Sequence, residues 1–127
     1  MPKYVLAVDD NDDALCIVGF ALEHAGFVVQ SAHNQREMQA ALDKALPDLM
    51  VLDLMLPGAN GYEVLQQLQE DARTRDIPII VVTAKSEPIY RRMSEDLGVS
   101  HHLIKPFHPD ALVAHAQALL PDMVVGG

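Results

Sequence analysis

Residues 49–52, LMVL, carry no polar side chain, and Asp53 follows them at once. A second run, IPIIVV at 77–82, is nearly as apolar and is followed by Thr83. Runs of this length without polar alternation are what strands covered on both faces require. Three more complete the set: YVLAV at 4–8, FVVQSA at 27–32 and SHHLI at 100–104. Between the runs, apolar residues recur at helical spacing. Leu15, Val18, Leu22 and Ala25 make one stripe, Met38, Ala41, Leu42 and Ala45 a second, and Val64, Leu65 and Leu68 a third. Ile89, Met93 and Leu97, then Leu112, Ala116 and Leu119, make two more. Gly26 and Gly98 are placed to close the first and fourth helices, while Pro88 and Pro109 suit the first turns of the fourth and fifth. Five strand-helix units with short connections predict an α/β fold: an open, doubly wound parallel sheet with right-handed crossovers and helices on both faces. Five units are too few to close an eight-stranded barrel.

The 127-residue chain has the length of one domain, expected over 1–120, with PDMVVGG at 121–127 as a tail or linker and Pro121 ending the fifth helix. Half the residues are hydrophobic and 21% are charged, which separates the chain from disordered sequences. Nine basic residues against eighteen acidic ones leave a formal charge of −9. No basic footprint exists for phosphates, so no direct nucleic-acid contact and no adhesion to an anionic membrane are expected of this segment. No apolar stretch reaches bilayer length, and the start, MPKYVLAVDD, turns acidic where a signal peptide would stay apolar. A cytoplasmic location is the expectation. The single cysteine, Cys16, lies within the first helical pattern and reads as inert core filler.

In a parallel sheet every strand points the same way, so residues just past the strand ends gather on one edge. Asp9 and Asp10 follow the first strand, Asp53 the third, Thr83 the fourth and Lys105 the fifth. Only Ser31, Ala32 and His33 follow the second, with no evident chemistry. A flavodoxin-like order of 2-1-3-4-5 accounts for that silence, because strand two is then an outer strand far from the crevice between strands one and three. Converging carboxylates repel, each pair costing on the order of 4 kcal/mol at about 4 Å and an effective dielectric of about 20. A hard divalent cation offsets this. Mg²⁺ fits best, since it accepts a few carboxylates plus water and leaves room for a phosphoryl oxygen. The histidines suggest no rival site: His101 and His102 are adjacent on a strand and face opposite ways, and the other four are scattered. Lys105 adds a fixed cation and Thr83 a hydroxyl. A metal, an ammonium and a hydroxyl around one carboxylate are what stabilise an in-line phosphoryl transfer, with Asp53 as the candidate nucleophile.

VDDN at 8–11, LDLMLPGANG at 52–61, VTA at 82–84 and IKPF at 104–107 resemble the motifs of response-regulator receiver domains of two-component signalling. The resemblance covers residues 3 to about 120. It implies that Asp53 is the phosphoacceptor, served by a phosphohistidine on a histidine kinase or phosphotransfer protein. It implies Mg²⁺ held by Asp10, Asp53 and the main-chain carbonyl of Met55, with Asp9 acting through water. Thr83, the main chain of Ala84 and Lys105 would bind the phosphoryl group, and a cis peptide would precede Pro106. Pro57, Gly58 and Gly61 match the family's loop after the phosphoacceptor, where glycines allow the tight return into the third helix.

One position departs from the family pattern. Three residues before Lys105 the family commonly has Tyr or Phe, a ring that moves inward with the threonine; here it is His102. His102 is read either as a polar surface residue of the strand or as a smaller switch ring, working with Thr83, that can also protonate. Output to a downstream effector is expected through the fourth helix, fifth strand and fifth helix. For the fourth helix, Ile89, Tyr90, Met93, Ser94 and Leu97 are expected on the buried side, with Arg92, Glu95 and Asp96 outward. Three competing functions remain. A haloacid dehalogenase-type phosphatase would need an acid-base aspartate two residues after the nucleophile, where this chain has Met55. A flavin carrier of the same topology would need a phosphate-cradling loop where this chain has DDNDD. The third is a receiver-like interaction module that is never phosphorylated.

Overall fold

The computed structural model describes residues 2–99 and 101–120. Five strands, β1 (Tyr4–Val8), β2 (Val28–Ala32), β3 (Leu49–Asp53), β4 (Ile79–Thr83) and β5 (His101–Ile104), alternate with five helices. These are α1 (Asp12–His24), α2 (Gln35–Lys44), α3 (Gly61–Glu70), α4 (Pro88–Asp96) and α5 (Pro109–Leu119). All pairings are parallel and the strand order is β2-β1-β3-β4-β5, as the flavodoxin-like reading expected. Ser100, the first residue of the fifth apolar run, and the tail at 121–127 lie outside the described residues.

Every residue of β3 and β4 is buried. Alternating side chains sort into two cores. Leu6, Val8, Met50, Leu52 and Val81 face Met38, Leu42, Val64, Leu65 and Leu68 of α2 and α3. Val5, Ala7, Leu49, Val51, Ile80 and Val82 face Leu15, Val18 and Leu22 of α1 and Leu112 and Ala116 of α5. Asparagine opens three of the helices: the Asn11, Asn34 and Asn60 side chains accept from the Ala14, Glu37 and Tyr62 amides. Gly26 takes φ +100° just past the α1 cap, where its amide donates to the Glu23 carbonyl and that of Phe27 to Leu22. No helix among the described residues is long and apolar enough to cross a membrane.

Two expectations are corrected. Cys16 is exposed. The buried stripe of α1 is Leu15, Val18, Gly19 and Leu22, and Cys16 sits about 100° round the helix from Leu15. There it borders an open groove of about 770 Å³ between α1 and β2. On α4, Ile89 and Met93 are exposed by 55% and 38%, and Ser94 is the buried residue. The inward stripe is Tyr90, Ser94 and Leu97, rotated from the apolar one, and the Ser94 hydroxyl is satisfied by the Tyr90 carbonyl at 3.1 Å.

Candidate functional site

Three strand ends supply the charged groups. Val5 and Ala7 of β1, Leu49 and Val51 of β3, and Leu103 of β5 all pack on the side of α1 and α5. The two-residue period of each strand therefore carries Asp9, Asp53 and Lys105 to that same side. Lys105 Nζ donates to Asp9 Oδ2 at 2.7 Å and to Asp53 Oδ2 at 2.9 Å. Both acidic side chains are 5% exposed, and each has a second donor: the Asn11 amide reaches Asp9 Oδ1 at 3.0 Å and the Met55 amide reaches Asp53 Oδ1 at 2.8 Å. These charge-assisted bonds offset the desolvation of the two acids. Burial pulls the Lys105 pKa down, but its hydrogen bonds to Asp9 and Asp53 outweigh that and the net shift is upward, so the ammonium stays charged.

Asp10 is exposed at the rim of this pair. Carboxylate oxygens of Asp9, Asp10 and Asp53 lie within 4.8 Å of one another, an all-oxygen set of the kind that hard divalent cations take. The donors present fit such an ion. Thr83 is 1% exposed, and its Oγ1 accepts the Lys85 amide at 3.1 Å. The Lys105 amide donates to the Thr83 carbonyl at 2.8 Å, which ties the end of β5 to the end of β4. Ala84 and Met55 are exposed. The Lys105–Pro106 peptide is cis. Gly61 is pressed against the residue after Asp53: a Cβ there would lie 2.2 Å from the Leu54 carbonyl oxygen. That approach brings the start of α3 against the loop that follows Asp53, where Gly58 turns at φ +72°.

His102 is half-buried and pairs in register with Val81, two residues along the ladder from the Thr83–Ile104 pair. It therefore shares a face of the sheet with Thr83. Its buried Nε2 finds no partner among the described residues. Burial, then the nearby Arg91 charge, lowers its pKa, with Glu95 opposing.

Sequence reasoning missed two histidine arrangements. His33, which seemed chemically silent, bonds Asp12 Oδ1 through Nε2 at 2.7 Å and Glu37 Oε1 through Nδ1 at 2.9 Å. Its pKa is raised, by Glu37 first and then Asp12. The spacing of His33 and Glu37, four residues, was the available signal. The histidines are also less scattered than the sequence suggested: His101 on β5 and His115 on α5 face each other through Nδ1 atoms 2.5 Å apart. Only the packing of α5 on the sheet brings them together, and no local pattern announces it.

The model of the response regulator receiver domain matches residues 5–117. The phosphate regulon transcriptional regulatory protein PhoB of Pseudomonas aeruginosa is 39% identical over 118 residues, covering 93% of this chain and 52% of that protein. The DNA-binding dual master transcriptional regulator RpaA of Synechocystis is 38% identical over 120 residues, covering 94% of this chain and 49% of that protein. The chain thus spans about half the length of these curated relatives. Among solved structures, the chemotaxis response regulator CheY4 of Vibrio cholerae superposes with a TM-score of 0.86 at 28% identity, covering 94% of this chain and 99% of that one. With its fold, its acidic strand-end cluster and this match, the chain belongs to the response regulator receiver domain family of two-component signalling.

Proposed function

We propose that this domain accepts a phosphoryl group on Asp53 from a phosphohistidine of a histidine kinase or phosphotransfer protein, with Mg²⁺ as cofactor. The observation that carries the reading is the buried Asp53 carboxylate held by the Lys105 ammonium beside Asp9 and Asp10. An Asp53 oxygen forms the new P–O bond as the donor's P–N bond breaks, and the imidazole leaves with the electron pair and takes up a proton. Lys105 and the Thr83 hydroxyl then face the phosphoryl oxygens, with the Ala84 amide beside them. Asp10, Asp53 and the Met55 carbonyl would hold Mg²⁺, with Asp9 behind a water; when bound, the ion supplies charge neutralisation to the transferring group. The domain promotes its own phosphorylation and dephosphorylation and is otherwise a signalling module. Met55 presents a backbone N–H to Asp53 and no acid-base group, which speaks against the phosphatase alternative.

Thr83 and His102 serve as the switch pair. Thr83 turning toward the phosphoryl group vacates space on the face it shares with His102, and the neutral ring, already half-buried, follows inward. The altered face of α4, β5 and α5 is then read by an effector. Relatives named as transcriptional regulators suggest a DNA-binding effector. Any nucleic-acid contact would fall to that effector and not to this segment, whose charge is −9. A cytoplasmic setting shared with the kinase completes the reading.

Incubation with Mg²⁺ and acetyl phosphate, followed by intact mass, tests it. One phosphoryl group should add to the wild type and none to Asp53→Asn; labelling that persists in the variant would sink the assignment.

A further inference from the structure

β5 and α5 meet through two imidazoles. His101 is in phase with Leu103, whose side chain packs on the α1 and α5 side, and His115 immediately precedes the buried Ala116. Their Nδ1 atoms stand 2.5 Å apart and the rings meet edge-on, with centroids 4.7 Å apart and planes at 81°. Both rings are half-buried. Only one proton fits between two facing Nδ1 atoms, so at least one of them offers a lone pair. Burial, and next the His115 charge, holds the His101 pKa below its ordinary value, which keeps that ring neutral at neutral pH.

We propose that His101 and His115 form a two-imidazole chelate for a borderline divalent transition metal of the Zn²⁺ or Ni²⁺ class, separate from the carboxylate site. Metal-nitrogen bonds of about 2.0–2.1 Å place two ligands of one ion about 2.9–3.3 Å apart, so the rings need only swing apart by under about 1 Å. Imidazole nitrogen selects such metals, whereas Mg²⁺ prefers the oxygens of the acidic cluster. The two sites also lie at opposite ends of one strand, since His101 opens β5 and Lys105 follows its last residue, a separation of about 13 Å. Water completes the coordination, so the ion exchanges with solvent and ties β5 to α5 while bound.

The test uses the wild-type chain with Mg²⁺ held in excess, so that the acidic cluster is occupied, and Zn²⁺ added to one equivalent. Imidazole NMR should show the His101 and His115 ring signals shifting together, and His101→Gln and His115→Gln should each lose the binding event. Uptake that persists in either variant, or ring shifts that fall on His24 or His33 instead, overturns the proposal. The wild-type ring shifts decide the matter even if a variant folds poorly.

Discussion

His33, His101 and His102 share one side-chain chemistry and are driven in opposite directions by what they touch. His33 lies between Glu37 and Asp12, which favour its charged form. Its pairing therefore stabilises the fold fully below the unfolded pKa of about 6.5 and is lost as pH rises through the higher folded value. His101 and His102 are held neutral by burial, so their contribution is present above the unfolded value and is lost as pH falls through the lowered one. An NMR titration of the imidazoles should put the His33 midpoint above about 6.5 and those of His101 and His102 below it. A His102 midpoint that tracks His33 would contradict the burial seen here. The inward ring movement proposed above requires a neutral His102, so on that proposal phosphorylation and partner binding should uncouple as acid charges the ring.

At the scale of elements, two glycines make opposite forecasts. A methyl at Gly61 would collide with the Leu54 backbone at 2.2 Å, so Gly61→Ala should cost roughly 1–3 kcal/mol and disturb the loop that follows Asp53. A methyl at Gly19, inside α1, would meet only the flexible end of Glu23 at 3.5 Å, and Gly19→Ala should gain roughly 0.5–1 kcal/mol. Urea unfolding of the two variants checks both signs. The sheet was legible because β3 and β4 are covered on both faces, leaving a continuous apolar signature in LMVL and IPIIVV. Strand order was legible from chemistry, since nothing acidic or catalytic follows β2. The face of α4 was not. There Ser94 goes inside because its hydroxyl closes on the preceding turn, while Ile89 and Met93 stay in water, an inversion that apolar periodicity cannot register. Asp9, Asp53 and Lys105 were legible as residues past strand ends; that Lys105 holds both acids depended on the register of β5 against β4.

Over the whole molecule, acidic charge exceeds basic charge twofold, and three of the acids meet at one edge. An ion that binds the folded cluster and not the unfolded chain raises stability by mass action, by about 2.7 kcal/mol at about 100 times its dissociation constant. Thermal unfolding should therefore shift upward with millimolar Mg²⁺. Asp10→Ala should lose that response while melting at or above the wild-type temperature without metal, because a repulsion has gone. A melting curve indifferent to Mg²⁺ in the wild type would remove the cation from the reading. The outward turn of Cys16 has a practical side. As the chain's one thiol, it gives a maleimide fluorophore a single point of attachment, on α1 beside the 74% exposed Phe20. This chain thus supplies its own spectroscopic handle, and the slower tumbling of one dye can report the docking of a partner on any face of the domain.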